Sequence, residues 1–311
     1  MELMQNEDAK GIWNVMEDAQ PNALLLGHLP WLAKFAIQIP GAAKKIKKFR
    51  EFSRRRVMRR YKEGSGQKDL LYHLMDEGGI DAEPPAMNQV ASDASLIIIA
   101  GSDTVSPSLS SLFYYLISNP LAYARLQTEI DESKLSAEDV QGLSKLKYLN
   151  AVINETMRLI PPLLDGSMRS PLIGSGGHML GEHHIPEGTT TNLHMFTLHR
   201  DHRNFSPSPD KFLPERWLPA DDQVALEPDI FKNRKSIIHN IAAFIPFSYG
   251  PADCIGKQMA MREMRWVVVA ILKRFTMRFA DGYDPAIWEG EIRDYFVIKK
   301  PKLSIVMMER A

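Results

Sequence analysis

Residues 88–119 constrain the fold more than any other part of the chain. Apolar residues crowd the first half of this run at Leu96–Ile99 and recur at helical spacing in the second, at Leu109, Leu112, Phe113 and Leu116. That spacing predicts one long helix. Apolarity all round its first half predicts burial, so other helices must surround it. They are present. Asn119-Pro120 has the form of an N-cap with proline at the first helical position, opening a helix through about Ser133. Another runs from about Leu146 to Ile160 and is stopped by Pro161-Pro162. Upstream, residues 44–63 hold eleven Lys or Arg against two Glu, with Ile46, Phe49, Phe52 and Val57 on one apolar stripe. This is an amphipathic helix with a solvated basic face, acidic lipid headgroups being the alternative partner.

Beyond Pro161-Pro162 the texture changes. Residues 163–195 are rich in Gly, Ser and Thr and predict short strands and turns. Residues 201–250 show little periodicity and predict a long irregular stretch. A helix is expected from Cys254 to about Phe275, and Phe296-Val297-Ile298 with Leu303-Ser304-Ile305-Val306 suggests a pair of strands. No repeat and no linker marks a second domain. The 311 residues are 44% hydrophobic and 24% charged with zero net charge, enough for a sizeable core. That balance gives no whole-chain case for nucleic acid or an anionic membrane. Met1–Asp8 is acidic, without the apolar run of a secretory signal or an anchor. Leu24–Ile39, broken by Gly27, His28, Pro30, Lys34 and Gln38, falls short of the roughly 20 apolar residues that span a bilayer.

One cysteine excludes an intramolecular disulfide and any cysteine-cluster metal site, and suits a reducing compartment. Cys254 is then either an inert buried thiol or a working ligand. Its surroundings are Phe247-Ser248-Tyr249-Gly250-Pro251-Ala252-Asp253-Cys254-Ile255-Gly256. Glycine lets a flat cofactor approach the backbone, and a helix N-terminus favours a thiolate. Elsewhere Glu155 and Arg158 stand at an i, i+3 spacing, Phe212-Leu213-Pro214-Glu215-Arg216-Trp217 follows, and Ala100-Gly101-Ser102-Asp103-Thr104 lies in the long helix. Pro107 cannot donate to the Asp103 carbonyl, so the helix should loosen there.

The Cys254 segment resembles the haem-binding loop of the cytochrome P-450 family, the haem-thiolate monooxygenases. It matches at Phe247, Gly250, Cys254 and Gly256 and departs at Ala252, where a basic residue commonly pairs with a haem propionate. The order and spacing of the other motifs agree over nearly the whole chain. The resemblance implies a mainly α fold with small β-sheets, the C-terminal part of the P-450 fold. Residues 1–311 would be a single partial domain lacking its N-terminal part and membrane anchor. It implies haem b (iron protoporphyrin IX) with Cys254 as axial thiolate and iron ligand, and a buried structural triad of Glu155, Arg158 and Arg216. It further implies Arg169 on a propionate, Ala100 and Gly101 leaving room for oxygen and substrate, and Asp103 and Thr104 as a proton-relaying acid–alcohol pair. Val105 replaces the hydroxyl residue that usually follows the threonine. Substrate-facing positions would be Ile98–Ser102, Leu163–Met168 and those around Phe296.

The implied reaction inserts one oxygen atom from O2 into a small apolar substrate, with electrons from NADPH through a separate reductase. Motif wording resembles fungal members, suggesting secondary metabolism. A full-length parent would sit on the cytosolic face of the endoplasmic reticulum membrane, touching its surface through 24–39, with no nucleic-acid partner. Two alternatives stand beside this: a non-catalytic truncated fragment unable to retain haem, and a haem-dependent isomerase or dehydratase. Asp103-Thr104 argues against the latter, which needs no proton delivery to dioxygen. With partners for the long helix and for the helix after Cys254 missing, both should expose apolar surface. His178, Glu182, His183 and His184 lack metal-binding spacing, Gly174-Ser175-Gly176-Gly177 is no dinucleotide fingerprint, and His199-Arg200-Asp201, though recurrent in the family, is assigned no chemistry.

Overall fold

The computed structural model describes residues 29–36, 44–80 and 83–310. The expectations for Met1–Asp8 and for most of Leu24–Ile39 lie outside the described residues. The chain forms two compact units, Met1–Asp103 and Thr104–Ala311, which divide within the long helix.

The first unit contains α1 (Ala33–Ala36), α2 (Lys44–Glu63), α3 (Leu70–Leu74) and the start of α4 (Met87–Ser118). The apolar stripe of α2 is real: Phe49, Phe52 and Val57 are buried. Val57 packs with Met75, Val90 and Ala94, bordered by Leu71, Leu74 and Met87. Arg60 fixes the turn after α2 by reaching Asp69 at 2.8 Å and Glu77 at 3.0 Å. Asp69 also caps α3, accepting from the Tyr72 N–H.

Helix α4 is continuous through Pro107. Ser108 Oγ donates to the Thr104 carbonyl and Ser110 Oγ to that of Ser106, so hydroxyls partner carbonyls around the proline. The expected all-round burial of the first half is only partial. Val90 and Ala94 are buried, but Leu96 and Ile99 are exposed, in line with the expectation of exposed apolar surface on this helix. In the second half Leu112, Phe113, Tyr115 and Leu116 are buried. By length and apolarity α4 would also suffice to cross a membrane, a test that core helices pass too.

The second unit packs α4 from Val105 onward with α5 (Pro120–Ser133), α6 (Val140–Ser144), α7 (Lys147–Leu159) and, later in the chain, α11 (Lys257–Arg274). Asn119 does stand at the N-cap of α5, but its side chain makes no cap bond. Instead Nδ2 donates back to the Tyr115 carbonyl at 2.8 Å, satisfying the end of α4. Helix α7 is the most enclosed element, burying even Glu155 and Arg158. After it come the hairpin β1 (His178–Leu180) with β2 (His183–Ile185), and α8 (Met195–Arg200).

The stretch 201–250 holds more order than its sequence suggests: β3 (Phe205–Ser206), α9 (Ala220–Leu226), α10 (Pro228–Phe231), β4 (Ile238–His239) and three single 3-10 turns. These pieces are too short to show periodicity. Downstream lie β5 (Phe275–Phe279), α12 (Ile287–Glu291), β6 (Arg293–Tyr295), β7 (Val297–Lys299) and β8 (Ile305–Glu309). The two expected C-terminal strands exist but do not pair with each other. β7 pairs with β6 across a tight turn at Phe296, and β8 returns to β5. The molecule is mainly α with small antiparallel sheets.

Candidate functional site

Glu155 is the most heavily coordinated side chain of the site. Arg158, one turn on along α7, donates to both carboxylate oxygens at 2.8 Å. Arg216, in the 3-10 turn Pro214–Trp217, donates at 3.0 Å, joined by the Leu213 N–H and the Trp217 indole, each at 2.9 Å. Glu155 and Arg158 are wholly buried and Arg216 nearly so. Burial pushes the Glu155 pKa up, but Arg158 and Arg216 outweigh it and hold the carboxyl at about 2. The same two guanidinium groups also grip carbonyls. Arg158 takes those of His199, Pro209 and Lys211, and Arg216 takes those of Pro207 and Ser208. Two planar forks on one carboxylate thereby staple the chain from 199 to 217 onto α7.

The loop 247–256 follows that staple. The Cys254 N–H donates to the Phe247 carbonyl at 2.9 Å, and Asp253 N–H to Gly250 at 3.0 Å. Phe247 packs against the core, whereas Cys254 is exposed with Tyr249 and Ile255 beside it. Cys254 does not open α11. The N-cap is Gly256, so the thiol lies two residues ahead of the N-cap. The two glycines are not equivalent. Gly250 has φ +90°, a conformation that disfavours any Cβ, while Gly256 has φ −81° and a Cβ there would meet only the Cys254 Sγ at 3.8 Å. Gly250→Ala is therefore expected to cost about 1–2 kcal/mol through backbone strain alone, and Gly256→Ala much less. Urea melts of the two variants check this, and equal midpoints would count against it.

Ala100, Gly101, Asp103 and Thr104 follow one another on α4. Ala100 and Gly101 are exposed, and Asp103 and Thr104 are partly buried. Arg169 forms a backbone bridge with Thr191, and its guanidinium donates to the Met168 carbonyl at 3.2 Å. His178, His183 and His184 lie on the exposed β1–β2 hairpin, and no cluster suited to a metal ion occurs among the described residues.

A family model for cytochrome P450 matches residues 1–307. This chain belongs to the cytochrome P450 family. Similar curated proteins include the cytochrome P450 monooxygenase phqL of Penicillium fellutanum, 35% identical over 95% of this chain and 50% of its own length. The trichothecene C-15 hydroxylase of Fusarium sporotrichioides is 30% identical, over 92% of this chain and 55% of its own. The chain thus spans about half the length of the curated relatives it matches. In fold it is similar to the cytochrome P450DA heme domain, with TM-score 0.70 at 20% identity over 96% of this chain and 59% of that one.

Two features of this P450 chain escape its motifs. Glu215, the residue before Arg216, is also buried and accepts from Tyr148 Oη and Arg125 Nη1, each at 2.5 Å. Arg125 continues to Glu227 at 2.7 Å. Burial and the Glu215 carboxylate keep the Tyr148 hydroxyl protonated by raising its pKa. No spacing signals this second ion cluster, because Arg125 lies far away in sequence. His199, noted above without a role, is wholly buried, as its flanking helix α8 packs against α7. His239 pairs edge-on with the Trp217 ring at 4.6 Å between centroids.

Proposed function

We propose that this chain is the haem-thiolate part of a cytochrome P450 monooxygenase that inserts one oxygen atom from O2 into a small apolar substrate. The observation that carries the reading is the presentation of Cys254. The only thiol in the sequence stands exposed in a loop bent at Gly250 and fixed to Phe247 by its own N–H. An exposed soft sulfur in a loop that also exposes Tyr249 and Ile255 suits an apolar, planar iron group.

The residues present suit haem b: Cys254 would hold the iron, Phe247, Gly250 and Gly256 would line its seat, and Arg169 would be available to a propionate. When bound, haem supplies the activation of dioxygen, and thiolate ligation favours O–O cleavage throughout this family. The chain's own contribution is positional and protonic. The triad of Glu155, Arg158 and Arg216 holds the segment leading to the loop. The Asp103 carboxyl takes protons from solvent and the Thr104 hydroxyl passes them on, with small Ala100 and Gly101 leaving space beside them.

Electrons come from NADPH through a separate reductase. The fungal relatives, one named as a trichothecene hydroxylase, support a place in secondary metabolism. Residues 1–311 form one partial P450 domain, and its parent works at the endoplasmic reticulum membrane. Exposed Trp31 and Phe35 support contact of the 24–39 segment with that surface.

The test is the carbon monoxide complex of the reduced chain. A red-shifted Soret band of thiolate-ligated haem is expected, and Cys254→Ala should abolish it. With no band from the unsubstituted chain, the enzyme reading fails for these 311 residues. The exposed Leu96, Ile99, Met259 and Trp266 would then mark a fragment unable to retain haem.

A further inference from the structure

We infer that His199 is a positioning residue for the Cys254 loop: its carbonyl is held by Arg158 while its imidazole Nε2 accepts the Ile245 N–H, so that it ties the Glu155 cluster to the chain entering the loop. The two bonds measure 2.8 Å and 3.1 Å. They act on opposite sides of one buried residue. Ile245 in turn accepts the Ser248 N–H, and Phe247 accepts the Cys254 N–H, each at 2.9 Å. An unbroken series of bonds therefore runs from α7 to the thiol.

A second path converges on the same step. Trp217 donates to Glu155 and lies 4.5 Å, centroid to centroid, from Phe244, whose ring is 5.5 Å from that of His199. The Phe244–Ile245 segment is held by a ring contact and a ring hydrogen bond, both traceable to one carboxylate.

The imidazole is informative because it is not comfortable there. Nε2 accepts a proton and so cannot carry one, which leaves the proton on Nδ1. That atom finds no hydrogen bond of normal geometry among the described residues, although the Arg158 and Met157 carbonyls favour protonation of the ring. Phenylalanine would fill the same space without leaving a buried donor poorly partnered, so what sets histidine apart here is the acceptor at Nε2. The bonding pattern stands without haem; only its bearing on iron ligation rests on the proposed function.

The experiment compares the full chain with His199→Phe, which fills the space but cannot accept, and His199→Gln, which can accept through Oε1. Amide exchange at Ile245 should be about fivefold faster in the Phe variant, the loss of one hydrogen bond worth ~1 kcal/mol, and close to the original in Gln. Alkylation of Cys254 by N-ethylmaleimide should change in rate with Phe and be restored by Gln. Unchanged exchange at Ile245 in the Phe variant overturns the inference, and so does equal loss in both variants, which would mark a space-filling role.

If the variants fail to fold, the imidazole 15N spectrum of the unsubstituted chain decides. The His199 ring should be the neutral Nδ1–H tautomer through the neutral range, and a proton on Nε2 would sink the idea. Neither readout requires haem. A chain that shows no thiolate–haem band but the expected exchange pattern refutes the proposed function and keeps His199 in its role.

Discussion

Glu155→Gln is expected to destabilise the chain by about 3–5 kcal/mol, the cost of removing one partner from a buried ion pair. Typical domains have only about 5–15 kcal/mol in total, so this single change should leave the variant partly unfolded or far more sensitive to urea. Its size follows from what remains. Arg158 and Arg216 would stay buried with no charge between them, and a Gln amide would turn its own N–H groups toward donors. Trp217→Phe is the matched comparison, since it deletes one neutral donor to the same carboxylate and keeps an aromatic ring. It should cost about 1.5–3 kcal/mol, the worth of a hydrogen bond to a charged group. Arg158→Lys should fall between them, because a single ammonium cannot bridge both Glu155 oxygens and three carbonyls at once. Urea melts followed by ellipticity measure all three. Similar midpoints for Glu155→Gln and Trp217→Phe would show that the charge itself contributes little.

What the residues announced in advance was whatever depends on local spacing. The extent of α4 follows from apolar positions three and four apart, and the end of α7 from Pro161-Pro162, which cannot continue a helix. Glu155 and Arg158 were legible as a pair because one helical turn separates them. Partnerships across space were not. Nothing in Leu303–Val306 says that its strand returns to β5, since pairing is settled by packing after the intervening turn forms. Asn119 has the chemistry of a cap, yet the unsatisfied carbonyl of Tyr115 lies within its reach and wins its side chain. Helix α11 begins at Lys257, three residues beyond the expected Cys254, for a related reason. The glycine that ends the loop also serves as N-cap, so the last loop residues and the first helical ones have similar local sequence. Arg125 with Glu215 and His199 with Ile245 had no signal at all, being contacts between segments that meet only in the folded chain.

Stability is expected to fall in two separate steps as pH is lowered, with different residues responsible for each. His199 and His239 have pKa values of about 4 instead of 6.5. Burial is the first cause in both, followed by Arg158 for His199 and by Arg216 for His239. Below pH 6.5 the unfolded chain takes up protons that the folded chain refuses, so stability declines until about pH 4, where both states are protonated. For wholly buried His199 alone, at ~1.4 kcal/mol per pH unit, the loss is on the order of 3 kcal/mol. Glu155 acts lower. Its carboxyl is held at about 2 against 4.5 when free, so its contribution is complete above pH 4.5 and disappears as pH falls toward 2. Urea midpoints at about pH 7, about pH 5 and about pH 3 separate the steps, because Glu155 is fully ionised across the upper interval. Any decline between the first two must then come from the histidines, and His199→Gln should remove its share. A flat response there would mean that the imidazoles accept protons without opening the structure. In that case the hydrogen bond from Ile245 N–H to Nε2, which protonation must break, would not be holding the loop.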